Sequence, residues 1–136
     1  MKLALLRCLQ TEEVCSGRHC LEFIDNREGS LADREEEIEF VALSTCGGCP
    51  GKTVKESVEN MVEAGVDTII FSSCIKLGTP IGYVCPHVDK LKAKIKEVEQ
   101  SLEIIDWTHQ ETFNQIIWHR IKSFNLGNFL NRGMSI

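Results

Sequence analysis

The 136-residue chain is long enough for one domain with a true core, and its 43% apolar and 26% charged content is ordinary for a globular protein. Fifteen Lys and Arg against 20 Asp and Glu leave a net charge of −5, with no basic block to neutralise phosphates, which argues against a nucleic-acid partner. No segment has the length of a membrane span, and the four apolar residues at 3–6 are too few for a secretory leader, so no membrane partner and a cytoplasmic location are expected.

In that compartment thiols stay reduced, so seven cysteines signal metal or redox chemistry before structural disulfides. Residues 3–6 read as a buried strand, followed after Arg7 by Cys8. The stretch 9–37 is the least regular. It predicts a loop bearing Cys15, His19 and Cys20, a short helix over 21–27, and a solvated acidic run at Glu35, Glu36 and Glu37. A second strand over 38–43 leads through Ser44 and Thr45 to Cys46.

Val54, Val58, Met61 and Val62 lie on one helix face, with Gly65 as its stop. A third strand over 68–71 exits through Ser72 and Ser73 to Cys74. Val88, Leu91, Ile95 and Val98 mark the next helix, with Lys90, Lys92, Lys94 and Lys96 on its wet surface. A fourth strand over 103–106 leads through Trp107 and Thr108 to His109. Thr108 and Glu111 have capping-box spacing before an amphipathic helix carrying Phe113, Ile116, Ile117, Ile121 and Phe124.

Strands alternating with helices predict βαβ units in an α/β fold. The expected architecture is a three-layer α-β-α domain of flavodoxin or Rossmann type, with a mostly parallel four-stranded sheet. Residues 1–109 would form the domain, and 110–136 an extra C-terminal helix and tail packed on it.

Such sheets bind ligands beyond the carboxyl ends of their strands. Cys8, Cys46, Cys74 and His109 each follow a predicted strand, so the topology would gather them at one edge. A single such cysteine would be an ordinary core residue; four ligand-type residues at four strand ends point to a shared site. Cys49-Pro50 and Cys85-Pro86 each precede a helical pattern. Proline favours the first helical position, so each cysteine is expected at or beside the N-cap, where the helix dipole stabilises a thiolate. Gly47, Gly48 and Gly51 would let the loop turn so that Cys46 and Cys49 face one point, at the usual spacing of a metal knuckle. His87 is close enough to reach the neighbourhood of Cys85. Gly51-Lys52-Thr53 is not a nucleotide loop, because Cys46 stands where that motif needs a glycine.

These blocks resemble the CGGC-domain family over residues 2–109. The resemblance rests on Arg7-Cys8, on Ser44-Thr45-Cys46-Gly47-Gly48-Cys49-Pro50-Gly51-Lys52 and on Ser73-Cys74-Ile75. Gly78-Thr79-Pro80-Ile81-Gly82, Cys85-Pro86-His87 and Thr108-His109 complete it. It implies metal binding, zinc being the suggested ion, with Cys8, Cys46, Cys49, Cys74, Cys85, His87 and His109 as site candidates. Cys15 and Cys20 are similar to further cysteines of the family.

The leading expectation is therefore a metal-binding domain. One set would be Cys8, Cys46, Cys49 and Cys74 flanked by His109, and a second Cys15, Cys20, Cys85 and His87. Zinc suits either, and an iron–sulfur cluster suits cysteine-only ligation. The alternative is a thiol–disulfide oxidoreductase, or an enzyme with a thiol nucleophile, built on Cys46-x-x-Cys49. A protein partner or a second copy of the chain would meet the C-terminal helix.

Overall fold

Uninterrupted apolar runs become the interior strands of a parallel sheet, because helices cover both of its faces. In a computed structural model, which describes residues 1–76, 78 and 84–108, this gives strand β1 (Lys2–Arg7) with Leu3, Ala4, Leu5 and Leu6 all essentially inaccessible. The chain continues through α1 (Leu9–Glu12), α2 (Arg18–Asp25) and a 3₁₀ turn (Gly29–Leu31) to β2 (Glu39–Thr45). Then follow α3 (Val54–Glu63), β3 (Thr68–Phe71), α4 (Ser73–Lys76), α5 (Val88–Val98) and β4 (Glu103–Ile105). Among the described residues no helix is long and apolar enough to cross a membrane. His109 and the expected C-terminal helix and tail lie outside the described residues.

The sheet has the order β2-β1-β3-β4, and every neighbouring pair is parallel. Alternation along β1 divides the core in two. Leu3 and Leu5 pack with Ile24 of α2, Leu31, Ile70 and Ile105. Ala4 and Leu6 pack with Val54, Val58 and Met61 of α3 and with Leu91 and Ile95 of α5. Helix α2 thus covers one face, and α3 with α5 the other, as right-handed crossovers stepping in opposite directions from β1 require. The strand order reverses between β1 and β3, the place where such sheets hold ligands.

Helix α3 stops as its glycine predicts. The N–H of Gly65 donates to the Val62 carbonyl at 3.0 Å and that of Val66 to Met61 at 3.1 Å, a Schellman ending. On the α2 face, Arg34 donates to Glu103 Oε2 at 3.1 Å and so ties the loop after the 3₁₀ turn to edge strand β4. The guanidinium holds the Glu103 carboxyl below its usual range. That support is present above the ordinary carboxylate pKa and is lost as pH falls through the lowered folded value, with a small effect at this wet surface.

Three expected boundaries shift. The second helix begins at Arg18, so Cys20 is a buried helical residue and not part of a loop. Helix α3 begins only at Val54 with Thr53 as its N-cap, so Pro50 is not in the first turn. The N-cap of α5 is His87, which puts Cys85 two residues outside the helix. In each Cys-Pro pair the turn residues that follow proline delay the helix.

Leu5→Ala should cost about 2–5 kcal/mol in chemical denaturation, the range for emptying a packed core site. Leu43→Ala, at 52% exposure on edge strand β2, should change stability by less than about 0.5 kcal/mol. Equal losses would contradict the central placement of β1.

Candidate thiol site at the carboxyl edge of the sheet

The carboxyl ends of β1, β2 and β3 meet through backbone hydrogen bonds that continue past the strands. Cys46 N–H donates to the Arg7 carbonyl at 2.9 Å, and Ser72 N–H to the Leu6 carbonyl at 2.9 Å. These bonds bring Cys8, Cys46 and Cys74 to one edge. The N–H of Cys8 donates to Cys74 Sγ at 3.5 Å across the switch point between β1 and β3. Cys46 and Cys74 lie in the core between the sheet and α3/α5, with Cys8 and Cys85 packed against it.

The segment 46–53 is a tight loop. Gly51 and Lys52 N–H both donate to the Gly48 carbonyl, at 2.7 and 3.0 Å, and Thr53 N–H returns to the Cys46 carbonyl at 3.4 Å. A Cβ on Gly47, at φ 72°, would stand 2.0 Å from Thr53 Oγ1, so this position has no room for a side chain. Helix α5 fastens the other limb: Lys94 Nζ donates to the carbonyls of Pro50 at 3.2 Å and Gly51 at 3.0 Å. Cys46 is left buried and Cys49 exposed.

Cys85 approaches from the start of α5, where its sulfur accepts the His87 N–H at 3.4 Å. Burial raises its thiol pKa, and the nearby thiols of Cys49, Cys8 and Cys46 add to that. Cys85 therefore packs on the cluster that contains Cys46, with Cys8 also against it, whereas Cys20, grouped with it in the expected second set, belongs to the other cluster. His87 is half-buried, and its N–H caps the Cys85 sulfur.

Cys20 belongs to the opposite core, beneath α2. Its thiol is raised chiefly by burial, against hydrogen bonds from the Thr108 hydroxyl, at 3.1 Å, and from the Ser73 backbone; Cys74 and Cys15 are its thiol neighbours. Thr108 Oγ1 also meets Ser73 Oγ at 3.1 Å, and Ser72 Oγ meets Cys74 Sγ at 2.6 Å. Ser72, Ser73 and Thr108 are each 1% exposed. The hydroxyls at the strand exits thus serve buried sulfurs on both faces of the edge. Their repetition at three strand exits was the signal available in the sequence, though not their role. Cys15, half-buried, accepts the N–H of Gly17 at 3.4 Å just before α2. Arg7 donates to the Cys15 carbonyl, a contact that no pattern of cysteines indicates.

All seven thiols are free. Among the described residues, no three His, Cys, Asp or Glu side chains stand together as a ready metal-ligand set. Cys46 and Cys74 lie in one core cluster with Cys8 and Cys85 packed against it, and thiols as a kind suit a soft metal.

Residues 2–109 match the CGGC domain. An uncharacterized protein of Methanocaldococcus jannaschii is 30% identical over 115 residues, which span 80% of this chain and 87% of that protein. No solved structure matches the chain.

Gly47→Ala should cost more than the roughly 1–3 kcal/mol of a strained positive φ, because Thr53 must also move. Gly48→Ala, at φ 103° with its nearest neighbours at 3.8 Å, should cost only the strain. Denaturation midpoints of the two variants give the order, and the reverse order would contradict the packing of the loop. The raised thiol of Cys20 gives a sign for alkali. Its contribution to stability is full below the ordinary thiol pKa and lost as pH rises through the folded value, so the metal-free, reduced chain should weaken in mild base. Cys20→Ala should flatten that decline.

Proposed function

The chain belongs to the CGGC-domain family, and on that premise we propose that it is a thiolate metal-binding domain whose site is the carboxyl edge of the sheet. The ligands assigned are Cys8, Cys46, Cys49 and Cys85, with Cys74 beside them. The observation that carries this reading is the packing of Cys8, Cys46, Cys74 and Cys85, residues far apart in sequence, in or against one core cluster at the carboxyl edge. Four cysteines match the tetrahedral demand of zinc, and the same all-sulfur set serves an iron–sulfur cluster. Bound there, the metal would cross-link β1, the 46–53 loop and α5.

The chain's own residues determine how it would bind. Cys46 is anchored by its backbone to Arg7, whereas Cys49 is exposed and free to swing inward. Ligation needs thiolates, so uptake releases protons and weakens as pH falls. Cys85, raised by burial, strengthens that dependence. Cys15 and Cys20 are assigned no ligand role in this site.

Anaerobic purification of the full chain with metal analysis and a visible spectrum tests the proposal. Zinc, or iron with sulfur-to-metal charge-transfer bands, near one site per chain is the expected result. Cys46→Ser and Cys85→Ser should each abolish stoichiometric metal, while Cys15→Ser retains it. Metal-free protein with seven titratable thiols that also refuses zinc would overturn it.

A second reading, dithiol exchange, is favoured by one observation: Cys49 is exposed and Cys46 is buried, as an attacking and a resolving thiol would be. Under that reading Cys46→Ser keeps its fold and stability but no longer closes a disulfide with Cys49.

A further inference from the structure

Arg7 ends β1 beside Cys8, and only 7% of it is exposed. A guanidinium so far from water needs an anion at good geometry to offset its desolvation. Among the described residues it has none. Its one side-chain hydrogen-bond partner among those residues is the neutral Cys15 carbonyl, and no carboxylate of theirs pairs with it.

The group is aimed at the start of α2. Its Cζ and Nε would each stand 3.2 Å from a Cβ on Gly17, the N-cap of that helix, at φ 78°. Glycine is thus required twice here, for the backbone and for the room taken by the guanidinium. A cation at a helix N-terminus faces the positive end of the helix dipole, so this placement is unfavourable unless negative charge joins it. The groups already capping the helix are neutral: Cys15 Sγ accepts from Gly17 N–H and Ser16 Oγ from Arg18 N–H, each at 3.4 Å. A second orphan lies in the same connection. Thr11 is 1% exposed, and its Oγ1 has no hydrogen-bond partner among the described residues.

We propose that the connection between β1 and α2 is a binding site for a tetrahedral oxyanion of the phosphate class, held by the Arg7 guanidinium and the first-turn N–H groups of α2. A strand running through a loop into a helix N-terminus offers backbone donors to such an ion, and arginine adds a planar fork that matches two of its oxygens. Gly17 gives the guanidinium its place beside the helix start, and Cys15 and Ser16 give up their neutral caps when the ion arrives. The site lies on the α2 side of the sheet and is independent of the metal reading.

The test is an amide NMR titration of the reduced, full-length chain with inorganic phosphate, against sodium chloride at matched ionic strength. The expected result is a saturable shift of the Gly17, Arg18 and His19 amides with phosphate alone. Arg7→Met should weaken that binding by about ten- to a hundredfold, the worth of a lost charge-assisted contact. Arg7→Lys, which keeps the charge without the fork, should fall between. If Arg7→Met does not fold, the wild type decides. A thermal midpoint that already climbs at millimolar phosphate, following the logarithm of its concentration, supports the site, and a rise only at the high concentrations where phosphate stabilises any fold overturns it. The proposal also fails if no saturable shift occurs, or if Arg7→Met binds phosphate like the wild type. A loss of bound metal in Arg7→Met without any response to phosphate would overturn it too, and would assign the guanidinium to the charge of the thiols.

Discussion

The burial of β1 between β2 and β3 governs the arrangement of this protein. Both faces of the strand are covered, so Leu3 and Leu5 must meet the α2 side while Ala4 and Leu6 meet α3 and α5. With register fixed by two parallel ladders, the residues just beyond the strand have no freedom of placement. Arg7 and Cys8 emerge between the ends of β2 and β3, and the Cys46 and Ser72 amides bond directly to the β1 backbone. Chemistry separated by dozens of residues in the chain is concentrated at one edge by hydrophobic burial together with these backbone bonds.

That edge contains more polar matter than a core edge needs. Sulfurs are met by backbone N–H groups at Cys8, Gly17 and His87, and by hydroxyls at Ser72 and Thr108. Buried hydroxyls and thiols that satisfy one another cost little, whereas a lone one would cost a desolvation penalty. The two faces differ in character. The α3/α5 side has Cys8, Cys46, Cys74 and Cys85 near a loop clamped by Lys94. The α2 side has Cys20 in its core and the cation of Arg7 at the helix start. Soft donors on one side and, among the described residues, a cation without a carboxylate on the other are the two features on which the proposals rest.

Much of this was legible in the residues themselves. Runs such as 3–6 and 68–71 read as strands because parallel strands buried on both faces have no polar alternation to hide. The helices over 54–63 and 88–98 announced themselves by apolar spacing. Their starts did not: proline at the first helical position is a good rule, yet Gly51 and Thr53 continue the turn that begins at Gly47. The grouping of cysteines escaped for a topological reason. Cys85 stands far from Cys8 and Cys46 in the chain, but α5 docks against α3 and brings it to the cluster that contains Cys46, with Cys8 also packed there. Arg7 entered the sequence reading only within the Arg7-Cys8 block, and the fold shows it enclosed with no carboxylate paired to it among the described residues.

The claim on which the account turns is that thiols from separate strand ends can close on a single ion. Loading the reduced, full-length chain with cobalt(II) and recording its absorption spectrum measures this directly, because sulfur-to-cobalt bands report thiolate ligation and the ligand-field bands report tetrahedral geometry. The account predicts intense bands of a tetrahedral, all-sulfur cobalt centre, lost when Cys8 or Cys85 is replaced. Pale octahedral cobalt without charge transfer would contradict it.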